Sequence, residues 1–187
     1  MSDEVPAPRT IYLRAVVDTK TISRDHDAAA ARLVPIKVAP ESAALILTSS
    51  VRAATAGTAA VAAGIGDTLR FYAITGSNNF EDAVLINDIR RTGTYHSIAG
   101  FAPVCVQRDA VVPEPDADPT SIGTSAQDFW FWQGIVADHG IQDCGLVLSL
   151  YRRDETGAPR FAGFYRWDLQ LTVSDLSNPQ EPEEQAS

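Results

Sequence analysis

From Tyr165 to Val173 apolar and polar side chains alternate without a break. Tyr165, Trp167, Leu169, Leu171 and Val173 fall on one side, and Arg166, Asp168, Gln170 and Thr172 on the other. A period of two sends successive side chains to opposite faces of a pleated strand, so this stretch has one greasy face and one wet one. It is the terminal strand of a sheet, entered through Phe161-Ala162-Gly163-Phe164. The rhythm recurs at Thr10–Asp18, where Ile11, Leu13, Ala15 and Val17 oppose Tyr12, Arg14, Val16 and Asp18. It recurs again at Thr68–Thr75 and at Leu146, Leu148 and Leu150.

Between these runs lie shorter extended pieces at Leu33–Val38, Ala44–Ser50, Ala83–Asn87, Phe101–Arg108 and Phe129–Ala137. Pro35 and Pro40 suit sheet edges, because proline cannot donate to a ladder. Ala53–Ala63 holds alanine, threonine and Gly57, a composition that predicts a thin strand rather than a helix. Gly64–Asp67, Gly76–Asn79 and Asp154–Gly157 read as turns. Residues 23–32 are polar and then alanine-rich, which predicts a turn of helix or a loop. No fixed-period repeat and no long amphipathic helix is present. The fold class expected is all-β: one antiparallel, two-sheet β-sandwich, jelly-roll-like, with little helix.

The domain is expected to span 9–174. Residues 1–8 form a flexible N-terminus, and 175–187, acidic and proline-bearing, a disordered tail. Within the domain, 110–128 carries Pro113, Pro115 and Pro119 with four acidic residues and predicts a long acidic loop, either a functional flap or a plain excursion.

With 24 acidic against 15 basic residues the net charge is −9. Phosphate backbones and anionic membrane surfaces both select for concentrated basic charge, so neither nucleic acid nor membrane is an expected partner. No apolar run reaches the ~20 residues a spanning helix needs. The acidic start has no hydrophobic stretch of a secretory leader, and a cytoplasmic location is expected. Cys105 and Cys144 form neither a CxxC nor a framework, and two buried reduced thiols are expected unless the fold brings them together.

Residues that would carry catalysis are scarce. His26, His96 and His139 are the three groups suited to proton transfer near neutral pH, and they form no HExxH or HxH pair. His139 before Gly140 reads as a turn residue. No serine sits in a GxSxG elbow, and Gly64-Ile65-Gly66 lacks the third glycine and the helix of a dinucleotide fingerprint. No catalytic residue and no obligatory cofactor is expected. Two features invite a ligand. The oxygen-rich stretch around Asn78, Asn79 and Asp82 either coordinates Ca²⁺ or is a polar hairpin tip. In Phe129-Trp130-Phe131-Trp132 both faces bear aromatics. Trp130 and Trp132 are then either core or subunit contact, or a stacking platform for a sugar ring.

Several ordered stretches together resemble the AidA/PixA family of bacterial inclusion-body proteins. They are Val16-Val17-Asp18-Thr19-Lys20-Thr21-Ile22, Gly66-Asp67-Thr68-Leu69-Arg70-Phe71, Asn79 with Ala83-Val84-Leu85-Ile86, Phe129-Trp130, and Gly163-Phe164-Tyr165-Arg166-Trp167-Asp168. The chain departs from the family pattern in the alanine-rich segment 53–63, in Leu169 after Trp-Asp, in its acidic tail and in holding a single methionine. The resemblance implies a cytoplasmic, non-catalytic bacterial protein that accumulates under growth-phase or quorum-sensing control, in some members as inclusions, and is linked to host association. It implies self-association into a homo-oligomer. The alternative is a carbohydrate-binding sandwich with Asn78, Asn79, Asp82, Trp130 and Trp132 as ligand residues.

Overall fold

The computed structural model describes residues 7–25, 31–47, 57–113 and 122–175. Among the described residues ten strands build two sheets. They are β1 (Thr10–Val17), β2 (Ile36–Lys37), β3 (Ala43–Leu47), β4 (Thr58–Ala62), β5 (Thr68–Thr75), β6 (Asp82–Arg91), β7 (Ile98–Pro113), β8 (Ile122–Val136), β9 (Gly140–Arg153) and β10 (Pro159–Ser174). The first sheet has the order β3-β1-β5-β8-β7. The second runs β2-β10-β9-β6, with β4 also paired to β10.

The alternation of β10 becomes the floor of the core. Tyr165, Trp167, Leu169, Leu171 and Val173 are buried, and the residues between them are half-exposed. Ile11, Leu13, Ala15 and Val17 of β1, with Leu69 and Phe71 of β5, face them from the first sheet. Two tryptophans complete this core without orphaning their indole N–H groups, as burial requires. Trp167 donates to the Pro40 carbonyl at 2.9 Å. Trp132 of β8 donates to the Ile86 carbonyl of β6 at 2.9 Å, a direct tie between the sheets.

All-β architecture in two facing sheets matches the expectation. Purely antiparallel pairing does not: β1 pairs β5 in parallel, and β10 pairs both β2 and β4 in parallel. Every connection except β7–β8 and β9–β10 carries the chain from one sheet to the other. Pairs within a sheet are therefore mostly made between strands distant in sequence. A strand's own alternation fixes which face it buries and leaves its partner's direction open.

β2 and β4 share one edge of β10, and the chain enters β4 through Gly57. Its φ is +78°, its carbonyl accepts from Gln170 N at 2.7 Å, and a Cβ there would stand 2.9 Å from the Asp168 carbonyl oxygen. Only glycine fits such an approach without strain. The thin strand expected within 53–63 is β4, starting at Thr58; residues 51–56 lie outside those described.

A helix starts before the stretch 23–32 and reaches into it: residues 23–25 and Ala31 are helical, and 26–30 lie outside those described. α1 spans Thr19–Asp25, and Asp18 caps it, its carboxylate accepting from the backbone of Lys20 and Thr21 at 3.1 Å each. The capping acid was legible as the end of β1, which hid its second role. The acidic loop expected at 110–128 is also shorter. Ala110–Pro113 close β7 and Ile122–Asp128 open β8, paired from Ala110↔Ser125 to Pro113↔Ile122. Only 114–121 of it lies outside the described residues, as do 1–6 and 176–187 at the termini.

Candidate functional site

Past its pairing with β5 the first sheet narrows to the two strands β7 and β8, and this makes the surface of interest. β8 pairs β5 only over Phe71↔Trp132 to Thr68↔Ile135. Beyond Trp132 it leaves β5 and continues with β7 as a two-stranded arm. Along β8 the residues from 124 to 130 are all exposed, whereas Phe131 and Trp132 are buried. Neither face of that arm is covered by the second sheet. Trp130 is 47% exposed, and Val111, Ile122 and Phe129 are also open to solvent.

Trp130 and Trp132 do share a strand face, and burial separates them. Trp132 lies inside the sandwich, and Trp130, two residues further out, has passed its edge. Phe131 points to the outer face of the first sheet and is nevertheless buried, because the Arg70 guanidinium lies 4.6 Å from its ring centre. Arg70 is held in place by three neighbours. Its Nε donates to Gln133 Oε1 and its Nη1 to the Tyr12 hydroxyl, at 3.2 Å each, and its guanidinium carbon stands 5.7 Å from the Tyr12 ring centre. Tyr12, Arg70, Tyr72, Val106, Arg108, Asp109, Phe129, Trp130 and Phe131 enclose a recess of about 480 Å³ between this face and the arm.

The oxygen-rich turn lies apart from that recess. Asn78 and Asn79 both have positive φ, 55° and 62°, a conformation asparagine tolerates better than most residues. Asn79 Oδ1 accepts from Thr75 N at 2.9 Å and Val84 N at 3.2 Å, and Asn79 N donates to Thr75 Oγ1 at 2.9 Å. Its carboxamide oxygen is thus spent on closing the link from β5 to β6. Asp82 lines a second recess of about 540 Å³ with Asp18, Glu41, Thr75, Ser77 and Glu81. Among the described residues no group of three or more His, Cys, Asp or Glu is placed to hold a metal ion. The five ligand residues expected from sequence are therefore spread over three environments: a turn with Asp82 at its far end, the core around Trp132, and the rim at Trp130. Sequence reading missed Tyr12, Arg70 and Tyr72. Their signal was two polar-face aromatics and a cation on strands whose other face is core.

His139 and Asp67 have structural partners. His139 stands in the turn between β8 and β9, its Nε2 3.0 Å from the Ala63 carbonyl, and His96 is exposed in the β6–β7 link. His26 lies outside the described residues. Gly64–Asp67 is a turn, and the Asp67 carboxylate clasps it to the start of β1, accepting from Arg9 N at 2.7 Å, Arg9 Nη2 at 2.8 Å and Gly64 N at 3.0 Å. Burial pushes this acid up, but the donors and charge of Arg9 and the Gly64 N–H more than offset it, so it titrates below the ordinary carboxylate range. Both cysteines are free. Cys144 is buried in β9, where desolvation and then the charges of Asp143 and Asp168 push its thiol up to about 12. Cys105 is exposed on the arm, which corrects the expectation of two buried thiols.

Among solved structures, a crystal structure of an inclusion body protein (PixA) from Burkholderia cenocepacia J2315 superposes with a TM-score of 0.72 at 18% identity. The match covers 90% of this chain and 98% of that one. At that identity the likeness speaks for the fold. No curated protein matches the chain. The sequence profile of the PixA inclusion body proteins matches residues 9–173, nearly the whole sandwich. The chain belongs to the PixA family of inclusion body proteins.

Proposed function

We propose that this protein is a non-catalytic, self-associating component that accumulates in the bacterial cytoplasm, and that the β7–β8 arm carries the association. The observation behind this reading is the edge strand β7. It is sixteen residues long, ends the first sheet, and among the described residues has β8 as its one strand neighbour. An edge of this length offers a row of backbone donors and acceptors to another chain, which sheet proteins commonly block by shortening, charging or covering the edge. Here the blocking is partial: Pro103, Arg108 and Asp109 interrupt a strand that otherwise presents Val104, Val106, Val111 and Val112. Both faces of the arm add apolar area at Ile122, Phe129 and Trp130, the kind of side chains that anchor subunit contacts. The family resemblance supports the further reading that accumulation follows growth phase or quorum sensing and bears on host association.

The test is sedimentation velocity across a concentration series. The expected result is a mass above the monomer that falls on dilution. The variant carrying Val111→Lys and Ile122→Lys, which charges the arm far from the core, is expected to shift the distribution to monomer at every concentration. A wild-type protein that stays monomeric at the highest attainable concentration would overturn the reading.

A further inference from the structure

The recess beside Arg70 has a chemistry of its own, although it shares Phe129 with the arm. One end is a fixed cation. Arg70 Nε and Nη1 are occupied by Gln133 and Tyr12, and the plane is packed on Phe131. Among the described residues no carboxylate lies within ion-pair distance of this guanidinium, and its Nη2 has no hydrogen-bond partner there. The rest of the lining is Tyr72, Val106, Phe129 and Trp130, with Arg108 and Asp109 adding one charge of each sign. Gln133 and Tyr12 restrain the arginine before any ligand arrives, so little rotamer entropy is lost on binding.

We propose that this recess binds a small organic acid with an aromatic or other flat apolar ring, its single carboxylate on Arg70 and its ring against Phe129 and Tyr72. A charge-assisted hydrogen bond from a guanidinium stacked on a ring is among the stronger polar contacts available at a surface. The aromatic wall supplies the remaining affinity by removing ring surface from water. Size fits as well: about 480 Å³ lies within the range of small-molecule sites. Neither half suffices alone. A neutral ring lacks the head contact, and a bare anion lacks the wall.

The probe is 2-naphthoate, titrated into the full chain with tryptophan fluorescence and isothermal calorimetry as readouts, beside its neutral counterpart 2-naphthalenemethanol, acetate and a neutral hexose. Saturable one-site binding of naphthoate, at least tenfold tighter than the alcohol, is expected, with no measurable binding of acetate or hexose. Arg70→Met is expected to weaken naphthoate at least tenfold and leave the alcohol unchanged, and Phe129→Ala to weaken both. Circular dichroism and thermal melting establish that each variant is folded. Should Arg70→Met fail that check, Phe129→Ala and the alcohol comparison decide alone. Equal binding of alcohol and acid, binding of the hexose in preference to naphthoate, or no naphthoate binding each overturns the proposal. The titrations are repeated in the variant with Val111→Lys and Ile122→Lys, neither of which lines the recess, so that binding and association, which share Phe129, are read separately.

Discussion

At the scale of single residues, the most consequential polar group is one that does no chemistry. Asp67 joins the Gly64–Asp67 turn to the lead-in of β1 through four donors, while its own carboxylate is almost fully buried. Its folded acidity is shifted down, so its contribution to stability is complete above the unfolded carboxylate value, about 3.9. That contribution is lost as pH falls through the lower, folded value. Asp67→Asn keeps the size and removes the charge. It is expected to cost about 1–3 kcal/mol at pH 7, toward the low end because the Arg9 partner is half-exposed. The gap between wild type and variant should narrow at pH 3. Urea unfolding at the two pH values checks it; a gap that stays constant would mean the clasp is not ionic. The two thiols make a second contrast. The thiolate is the reactive form, so Cys144, pushed up to about 12 and enclosed, is expected to be inert to a disulfide reagent until the protein unfolds. Exposed Cys105 reacts in the native state. One thiol titrated per native chain and two in denaturant is the expected count.

At the scale of elements, legibility follows burial. β1, β5 and β10 each have one face in the core and one in water, and that asymmetry writes a period of two into the sequence. The arm has no such asymmetry. Residues 124–130 of β8 are exposed on both faces, so nothing selects alternation there, and prolines with acidic residues made the region read as a loop. The four-aromatic run shows the limit from the other side. Its alternation correctly put Trp130 and Trp132 on one face, but whether that face is core depends on what packs over it, which is a property of other strands. The parallel partners of β10 were equally invisible, because alternation specifies a face and not a neighbour. The capped start of α1 was legible in principle in Asp18-Thr19-Lys20-Thr21. The same exposure predicts how the arm moves. With few buried apolar contacts, its ladder opens locally at low cost, whereas β1, β5 and β10 open only when the core does. In hydrogen exchange, amides of 102–112 and 122–130 are expected to exchange well ahead of those of 11–17, 69–74 and 165–173. Equal protection of arm and core at low protein concentration would contradict this. Protection that appears in the arm only as concentration rises would report that another copy covers it.

At the scale of the whole molecule, the threading of the chain decides how it comes apart. Seven of the nine links between successive strands change sheets, all except β7–β8 and β9–β10, so neither sheet is a continuous piece of sequence. β1 and β5 lie side by side in one sheet while the chain between them visits the other at β2 and again at β4. Peeling off either sheet therefore breaks the other. One contiguous core of buried residues draws on both, and the Trp132 indole bond to Ile86 ties them directly. Such an arrangement leaves no half-folded state with its apolar face covered, which is the condition for all-or-none unfolding. A single cooperative transition is expected, with far-ultraviolet dichroism of the strands and near-ultraviolet dichroism of Trp132 and Trp167 coinciding in urea. Separated transitions would mean that the sheets hold together independently, against the topology. The concentration dependence of the midpoint adds a second reading from the same curves. Association through the arm stabilises the folded chain by mass action, so the midpoint is expected to rise with protein concentration in the wild type. In the variant with Val111→Lys and Ile122→Lys the transition should keep its slope, because the core is untouched, and lose that rise. A midpoint that climbs equally in both would place the subunit contact elsewhere on the sandwich.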